Sequence, residues 1–229
     1  MVKSEPVFTR DTFQFFRDLA RNNRKVWMDA NRERYQNFVV RPFRRLLEEL
    51  SPAILELDSR FDTTGRTGAN FSRINRDIRF AKDKTPYRAQ MYLKVSAPFP
   101  GGEETGQLYL GVSAETVTAG FRIYCGAKRK TSALGALAEP RVLSRPKWPA
   151  EQQKRLGRKY ESYWYALEKK EWTQQKGWPK GEEDWKRLQG WIVRKKLKPA
   201  DALRASFPRD VVKIFRELYP LLRFTSLDD

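Results

Sequence analysis

The sequence predicts an α+β fold in which an antiparallel sheet is flanked by N-terminal and C-terminal helices. Three observations carry this. Apolar residues recur at three- and four-residue steps through Leu57, the period drops to two between Met91 and Tyr124, and a helical period returns after residue 151. The order helices, strands, helices, with short links between the strands, suits hairpins and not crossovers. At 229 residues, with 40% hydrophobic and 13% aromatic content, the chain can bury a sizeable core. It reads as a single domain over 1–229: helical over 9–57, a cationic loop with antiparallel strands over 71–125, and a basic, Trp-rich helical part over 126–223.

The first helix is expected over 9–21, with Thr9 as N-cap and Phe13, Phe16 and Ala20 on one face. Asn22-Asn23 ends it, because Asn favours caps and turns. A second helix spans Arg24 to Val40, and its stripe of Tyr35, Val39, Phe43, Leu46, Leu47 and Leu50 continues past Pro42. Pro42 lacks an amide donor, so it kinks this helix or begins another. Ser51-Pro52 reads as a further helix start, with Ala53 to Leu57 behind it. Residues 62–70 are loop by composition.

Strands follow at Met91–Ser96, Gln107–Ser113 and Thr116–Tyr124, with a turn around Pro100-Gly-Gly102. Pro140, Pro146 and Pro149 argue against a long regular element over 126–150. A helix is expected over 151–170, with Leu156, Tyr160, Tyr163, Trp164 and Leu167 on one face. Trp172 to Gly181 reads as irregular and Leu188 to Val193 as a short strand. Lys198-Pro-Ala-Asp201 opens a closing helix pair broken at Pro208, whose apolar face is Val211, Val212, Phe215, Leu218 and Tyr219.

What is missing narrows the chemistry. There is no histidine, which excludes Ser-His-Asp and Cys-His catalysis, histidine-ligated zinc and imidazole proton shuttles. The single cysteine, Cys125, excludes an intramolecular disulfide and a thiolate-rich metal site, and it reads as a small packed residue. No P-loop, dinucleotide fingerprint, EF-hand or zinc spacing is present, so neither a cofactor nor a metal is expected. Gly65-Arg-Thr-Gly68 is too short to be a phosphate loop alone. No apolar run reaches membrane-span length, and the first eight residues lack a signal-peptide core. A cytoplasmic location with no membrane partner is the expectation.

The formal net charge is +18 and the isoelectric point near 10.1, a balance that favours polyanionic partners. Residues 128–198 carry a net +12 and residues 1–127 a net +6. The densest group is Arg73, Arg76, Arg79, Lys82, Lys84 and Arg88, set around only Asp77 and Asp83. Its spacing suits no amphipathic helix, and Thr85-Pro86 favours extended or turn backbone. Two readings stand. The guanidinium forks and ammonium groups answer phosphate or carboxylate oxygens, with Tyr87 adding a hydroxyl or stacking face and the aspartates orienting arginines. Alternatively the same residues form internal ion pairs that pin the loop.

Six tryptophans lie between Trp148 and Trp191 among lysines and arginines. Core packing is the leading reading, with Trp164 inside and Trp172 and Trp178 partly exposed; base stacking is the rival. The acid clusters Glu48-Glu49, Glu103-Glu104 and Glu182-Glu183-Asp184 read as solvated surface.

These residues give the chain a resemblance to the bacterial and fungal family named domain of unknown function 2461, over nearly its whole length. Leu19–Trp27, with Asn22-Asn23, resembles the family's Asn-Asn then Trp segment. Arg73 through Tyr87 resembles its hallmark, and Phe215–Leu222 its closing helix. The resemblance implies an intracellular single-domain protein and no established activity, substrate or cofactor. Many relatives carry a histidine where Gln90 stands and an Asp-His-Pro motif near Asp184-Trp185. If those histidines serve catalysis, this chain has lost or replaced it.

The leading functional expectation is binding of a phosphate-bearing ligand, with nucleic acid among the candidates, through Arg73 to Arg88 and the basic 128–198 surface. The rivals are an enzyme acting on an anionic small molecule, with Asp77, Asp83 or Tyr87 moving protons, and an interaction or scaffold protein. The sequence leaves the oligomeric state open.

Overall fold

The computed structural model describes residues 5–97, 106–124, 141–168 and 171–226. Cys125, Glu103, Glu104, the Pro100-Gly-Gly102 turn and most of the 126–150 segment lie outside them. The strands are β1 (Gln90–Val95), β2 (Gln107–Ser113), β3 (Val117–Tyr124), β4 (Glu161–Glu168), β5 (Glu171–Lys176) and β6 (Leu188–Leu197). They form one six-stranded antiparallel sheet in the order β1-β2-β3-β6-β4-β5. Helices precede and follow these strands in the chain, and the fold is α+β. Two compact units divide the residues. The first takes Met1–Val95, Tyr109–Ala119 and Lys196–Lys213; the second takes Ser96–Leu108, Gly120–Lys195 and Ile214–Asp229.

In the first unit, α1 (Arg10–Arg21) starts at Thr9, whose amide donates to Thr12 Oγ1 at 3.4 Å. It buries Phe13, Phe15, Phe16 and Leu19. Asn22 ends it as expected, its Nδ2 donating to the Asp18 carbonyl at 2.9 Å. The single helix expected over 24–40 is instead α2 (Lys25–Ala30), a break at Asn31, α3 (Arg32–Tyr35) and one wide turn over Gln36–Val40. Asn31 closes α2 as its C-cap, with φ −112° and ψ 19°, and both its amide and its Nδ2 donate to the Trp27 carbonyl, at 3.0 and 2.9 Å. The wide turn ends with the Arg41 amide donating to Gln36, five residues back. Pro42 lacks the next donor, and π-type turns relieve such gaps.

α4 (Arg41–Leu57) carries Pro42 in its first turn. It also runs through Pro52, where a new helix start was expected. The reason is burial. Leu46, Leu47, Leu50 and Ile54 form one buried stripe across the proline. Each such side chain contributes about 1.5–3 kcal/mol, against roughly 3 kcal/mol for an interior proline. Ser51 Oγ satisfies the Leu47 carbonyl at 2.6 Å. Phe8 packs edge-on against Phe43 and Phe207, and Phe43 against Phe71.

The loop over 62–70 is held by one buried residue. Asn70 is 1% exposed. Its Oδ1 accepts from the Gly65 and Arg66 amides at 2.9 and 3.3 Å, and its Nδ2 donates to the Asp62 and Lys94 carbonyls at 2.6 and 3.3 Å. Gly65 at φ 75° and Gly68 at φ 92° supply the left-handed backbone this wrapping needs.

In the second unit, the helix expected over 151–170 is α5 (Trp148–Leu156) followed by β4. Of the irregular segment expected over Trp172 to Gly181, the part as far as Lys176 is β5, which pairs with β4 from Tyr163↔Lys176 to Glu168↔Glu171, and residues 177–180 are irregular as expected. β4 also pairs with β6, with Trp164 opposite Trp191. Tyr163, Trp164 and Tyr165 are strand formers, and a ladder on both sides satisfies their backbone groups. β6 is buried from Leu188 to Val193, so its apolar run does not alternate. After β5 the chain turns into α6 (Gly181–Lys186), whose acids face Lys186 and Arg187.

α7 (Pro199–Ala202) and α8 (Phe207–Ser226) form the closing pair. The break lies before Pro208, which sits in the first turn of α8, where its missing amide costs nothing. Val211, Phe215 and Leu218 are buried as expected, while Val212 and Tyr219 are half-buried; Ile214, Leu221 and Leu222 complete the face. Among the described residues no helix is long and apolar enough to cross a membrane.

Candidate functional site

The cationic loop lies wholly in the first unit. Its base is a short antiparallel contact, Asn75 opposite Tyr87. The Arg76 amide donates to the Pro86 carbonyl and the Arg88 amide to the Ile74 carbonyl, each at 2.8 Å. In such a pair the Asn75 and Tyr87 peptide groups point away from each other. Asn23 meets those of Tyr87. Its Nδ2 donates to the Tyr87 carbonyl at 2.9 Å, and its Oδ1 accepts from the Tyr87 amide at 3.0 Å. Ile74 and Tyr87 are buried below the loop. The backbone between is neither helix nor strand, as Thr85-Pro86 implied.

Above this base the charges divide into two sets. Arg76 is ion-paired with Asp83 and hydrogen-bonded to Thr85 Oγ1. Asp83 also accepts from the Thr85 amide at 2.9 Å and the Thr85 hydroxyl at 3.0 Å. The Thr85 amide first, then Arg76, holds the Asp83 carboxyl down to about 2. Arg79 grips Asp77 through two bonds of 3.0 and 2.7 Å, and its side chain and amide lower the Asp77 carboxyl below its usual range. Lys84 Nζ donates to the Ile78 and Arg79 carbonyls at 3.0 and 3.4 Å.

Arg73, Lys82 and Arg88 form the second set. All three are exposed, and among the described residues no carboxylate lies within ion-pair distance of them. Six cations against two carboxylates leave the loop at a net +4. Tyr87, expected to offer a hydroxyl or a stacking face, is only 7% exposed and belongs to the base. The exposed ring is instead Phe80, 94% exposed at the loop tip beside the Arg79 guanidinium, 6.0 Å from its centroid. Sequence reasoning missed Phe80, although an aromatic residue in a segment with no periodicity has no face on which to be buried. It also missed Asn23 and Thr85 as partners of the loop.

A family model for "Conserved hypothetical protein (DUF2461)" matches residues 11–224. The chain belongs to this family. No curated protein matches it. Two of the stretches that suggested the DUF2461 resemblance, Leu19–Trp27 and Arg73–Tyr87, are the ones joined by the Asn23–Tyr87 bonds.

In this DUF2461 chain the tryptophans are mostly core. Trp164, Trp185 and Trp191 are buried, and Trp191 Nε1 donates to Ser162 Oγ at 3.0 Å. Trp178, expected to be partly exposed, is buried edge-on against Trp191 with centroids 5.2 Å apart, because the chain after β5 turns it inward. Trp148 stacks on Phe224. Trp172 is exposed, as expected, and stacks on Tyr124. Among the described residues no group of three acids or thiols is placed to hold a metal ion.

Proposed function

We propose that the chain binds a phosphate-bearing polyanion through the loop from Arg73 to Arg88. The observation that carries this is the second set of cations. Arg73, Lys82 and Arg88 are exposed without carboxylate partners, on a loop whose other charges are spent on its own shape. Guanidinium forks and ammonium groups are the donors that phosphate oxygens accept most strongly. The enzymatic alternative has less support. Asp77 and Asp83 are exposed and held below the ordinary carboxylate range, which makes them poor proton carriers near neutral pH.

The test uses inorganic polyphosphate as probe, titrated at several salt concentrations. Wild-type binding should weaken with salt by about 0.7–0.9 log units per log unit of salt for each phosphate contacted. The triple variant R73E/K82E/R88E should lose most of the affinity, whereas the charge-matched K154E/R158E/K180E, at exposed positions of the second unit, should lose little. Equal losses in the two variants would show that overall charge, and not this loop, holds the anion.

A further inference from the structure

We infer that the polyanion taken by this loop is a single-stranded nucleic acid, with Phe80 as the platform on which an unpaired base stacks. This rests on the reading of the loop as an anion site and adds what the anion must be. The exposure of Phe80 is built into the loop. The turn that carries it is closed by the Ala81 amide on the Ile78 carbonyl at 3.3 Å. Asp77 braces one side, accepting from the Arg79 amide at 3.3 Å and from the Arg79 side chain. Lys84 braces the other through the Ile78 and Arg79 carbonyls. An apolar ring so placed buries almost no surface in the fold, since it is 94% exposed and its neighbour is the Arg79 guanidinium, 6.0 Å from its centroid.

The chemistry of the tip then selects the ligand. A free phosphate or a phosphorylated anion without an aromatic ring answers the cations and leaves Phe80 unused, and a single nucleotide spans fewer of the cations than a strand does. A polynucleotide answers both, because each residue of the strand brings a phosphate and a π-face, and stacking on aromatic side chains beside cations is how unpaired bases are held. A duplex keeps its faces stacked internally, so one ring on a surface loop reaches only an unpaired base. A membrane is the other polyanionic surface that takes an exposed aromatic ring. It fits less well, because Phe80 is the only large apolar residue exposed on the loop, and stable anchoring needs more than one insertion signal.

The experiment compares a labelled dT12 strand with an abasic 12-mer of the same backbone, by fluorescence anisotropy at fixed salt. Wild type should prefer dT12 by about 5- to 150-fold, the equivalent of ~1–3 kcal/mol for one stacked base. F80A should abolish that preference and leave the abasic strand's affinity unchanged, and F80W should keep the preference. A wild type that binds the two strands equally, or a preference that survives in F80A, overturns the inference while the anion reading stands. Binding to neither strand while polyphosphate still binds overturns the inference alone, and binding to none of the three overturns both. Phosphatidylserine vesicles that retain wild type but not F80A, with no preference between strands, would overturn it in favour of a membrane surface.

Discussion

Replacing Asn23 tests whether the loop is held from outside itself. The Asn23 amide makes two bonds to the Tyr87 peptide, at 2.9 and 3.0 Å, across 64 residues of sequence. Each neutral bond of this kind contributes about 0.5–1.5 kcal/mol, so Asn23→Ala should weaken the loop's attachment by roughly 2 kcal/mol. The informative probes are the Arg76 and Arg88 amides, which bond to Pro86 and Ile74 and do not touch Asn23. If Asn23 anchors the loop, their hydrogen exchange should accelerate by about 30-fold, the equivalent of that energy, given local opening. Asn23→Asp keeps the acceptor for the Tyr87 amide but sets a carboxylate oxygen against the Tyr87 carbonyl, so it should recover less than half the loss. Asn22→Ala, which removes only a helix-end bond to Asp18, should leave both amides unchanged. Unaltered exchange at Arg76 and Arg88 in Asn23→Ala would refute the anchoring argument, since the bonds would then be incidental to the loop.

Three further outcomes follow from single contacts. Asn70→Ala strips the four hydrogen bonds that buried Asn70 makes in and beside the 62–70 loop and should lower stability to urea by about 2–4 kcal/mol; a change below roughly 0.5 kcal/mol would mean water replaces the side chain. The Thr85 amide resonance should titrate with Asp83 near pH 2 and not near 4. The folded carboxyl is depressed, so its support of the loop is full above the unfolded value of about 3.9 and is lost as pH falls through about 2. Tyr160 donates to Glu217 Oε2 at 2.7 Å, and burial and this bond raise its hydroxyl above the usual tyrosine range. Its contribution is full below pH 10 and fades as pH rises beyond, and Tyr160→Phe should cost about 1.5–3 kcal/mol in urea unfolding at neutral pH.

How much could be read beforehand depended on how local the deciding interaction was. α1, its Asn22 stop and β1 to β3 were legible because their periodicity and caps lie within a few residues. The stretch after Leu156 was not. Leu156, Tyr160, Tyr163 and Trp164 satisfy helical spacing, and what makes a strand of 161–168 is pairing with β6, whose Trp191 lies opposite Trp164. Pro52 misled for a similar reason, since local chemistry marks a helix start while the buried stripe around it runs on. In the loop, the concentration of cations was visible. Which of them are free was not, because the Arg76–Asp83–Thr85 arrangement exists only once the chain has turned back on itself.

That turn bears on what the paired arginines are for. Arg76 and Arg79 carry the same guanidinium forks as Arg73 and Arg88, yet each already answers a carboxylate of the loop. An anion that recruited them would have to displace Asp83 and Asp77, and loss of Asp77 would undo the bonds that brace one side of the Phe80 turn. Arg73, Lys82 and Arg88 carry no such obligation among the described residues. The loop therefore separates two tasks: arginine–aspartate pairs fix its shape, and the remaining cations stay available because those pairs have already absorbed both of its acids.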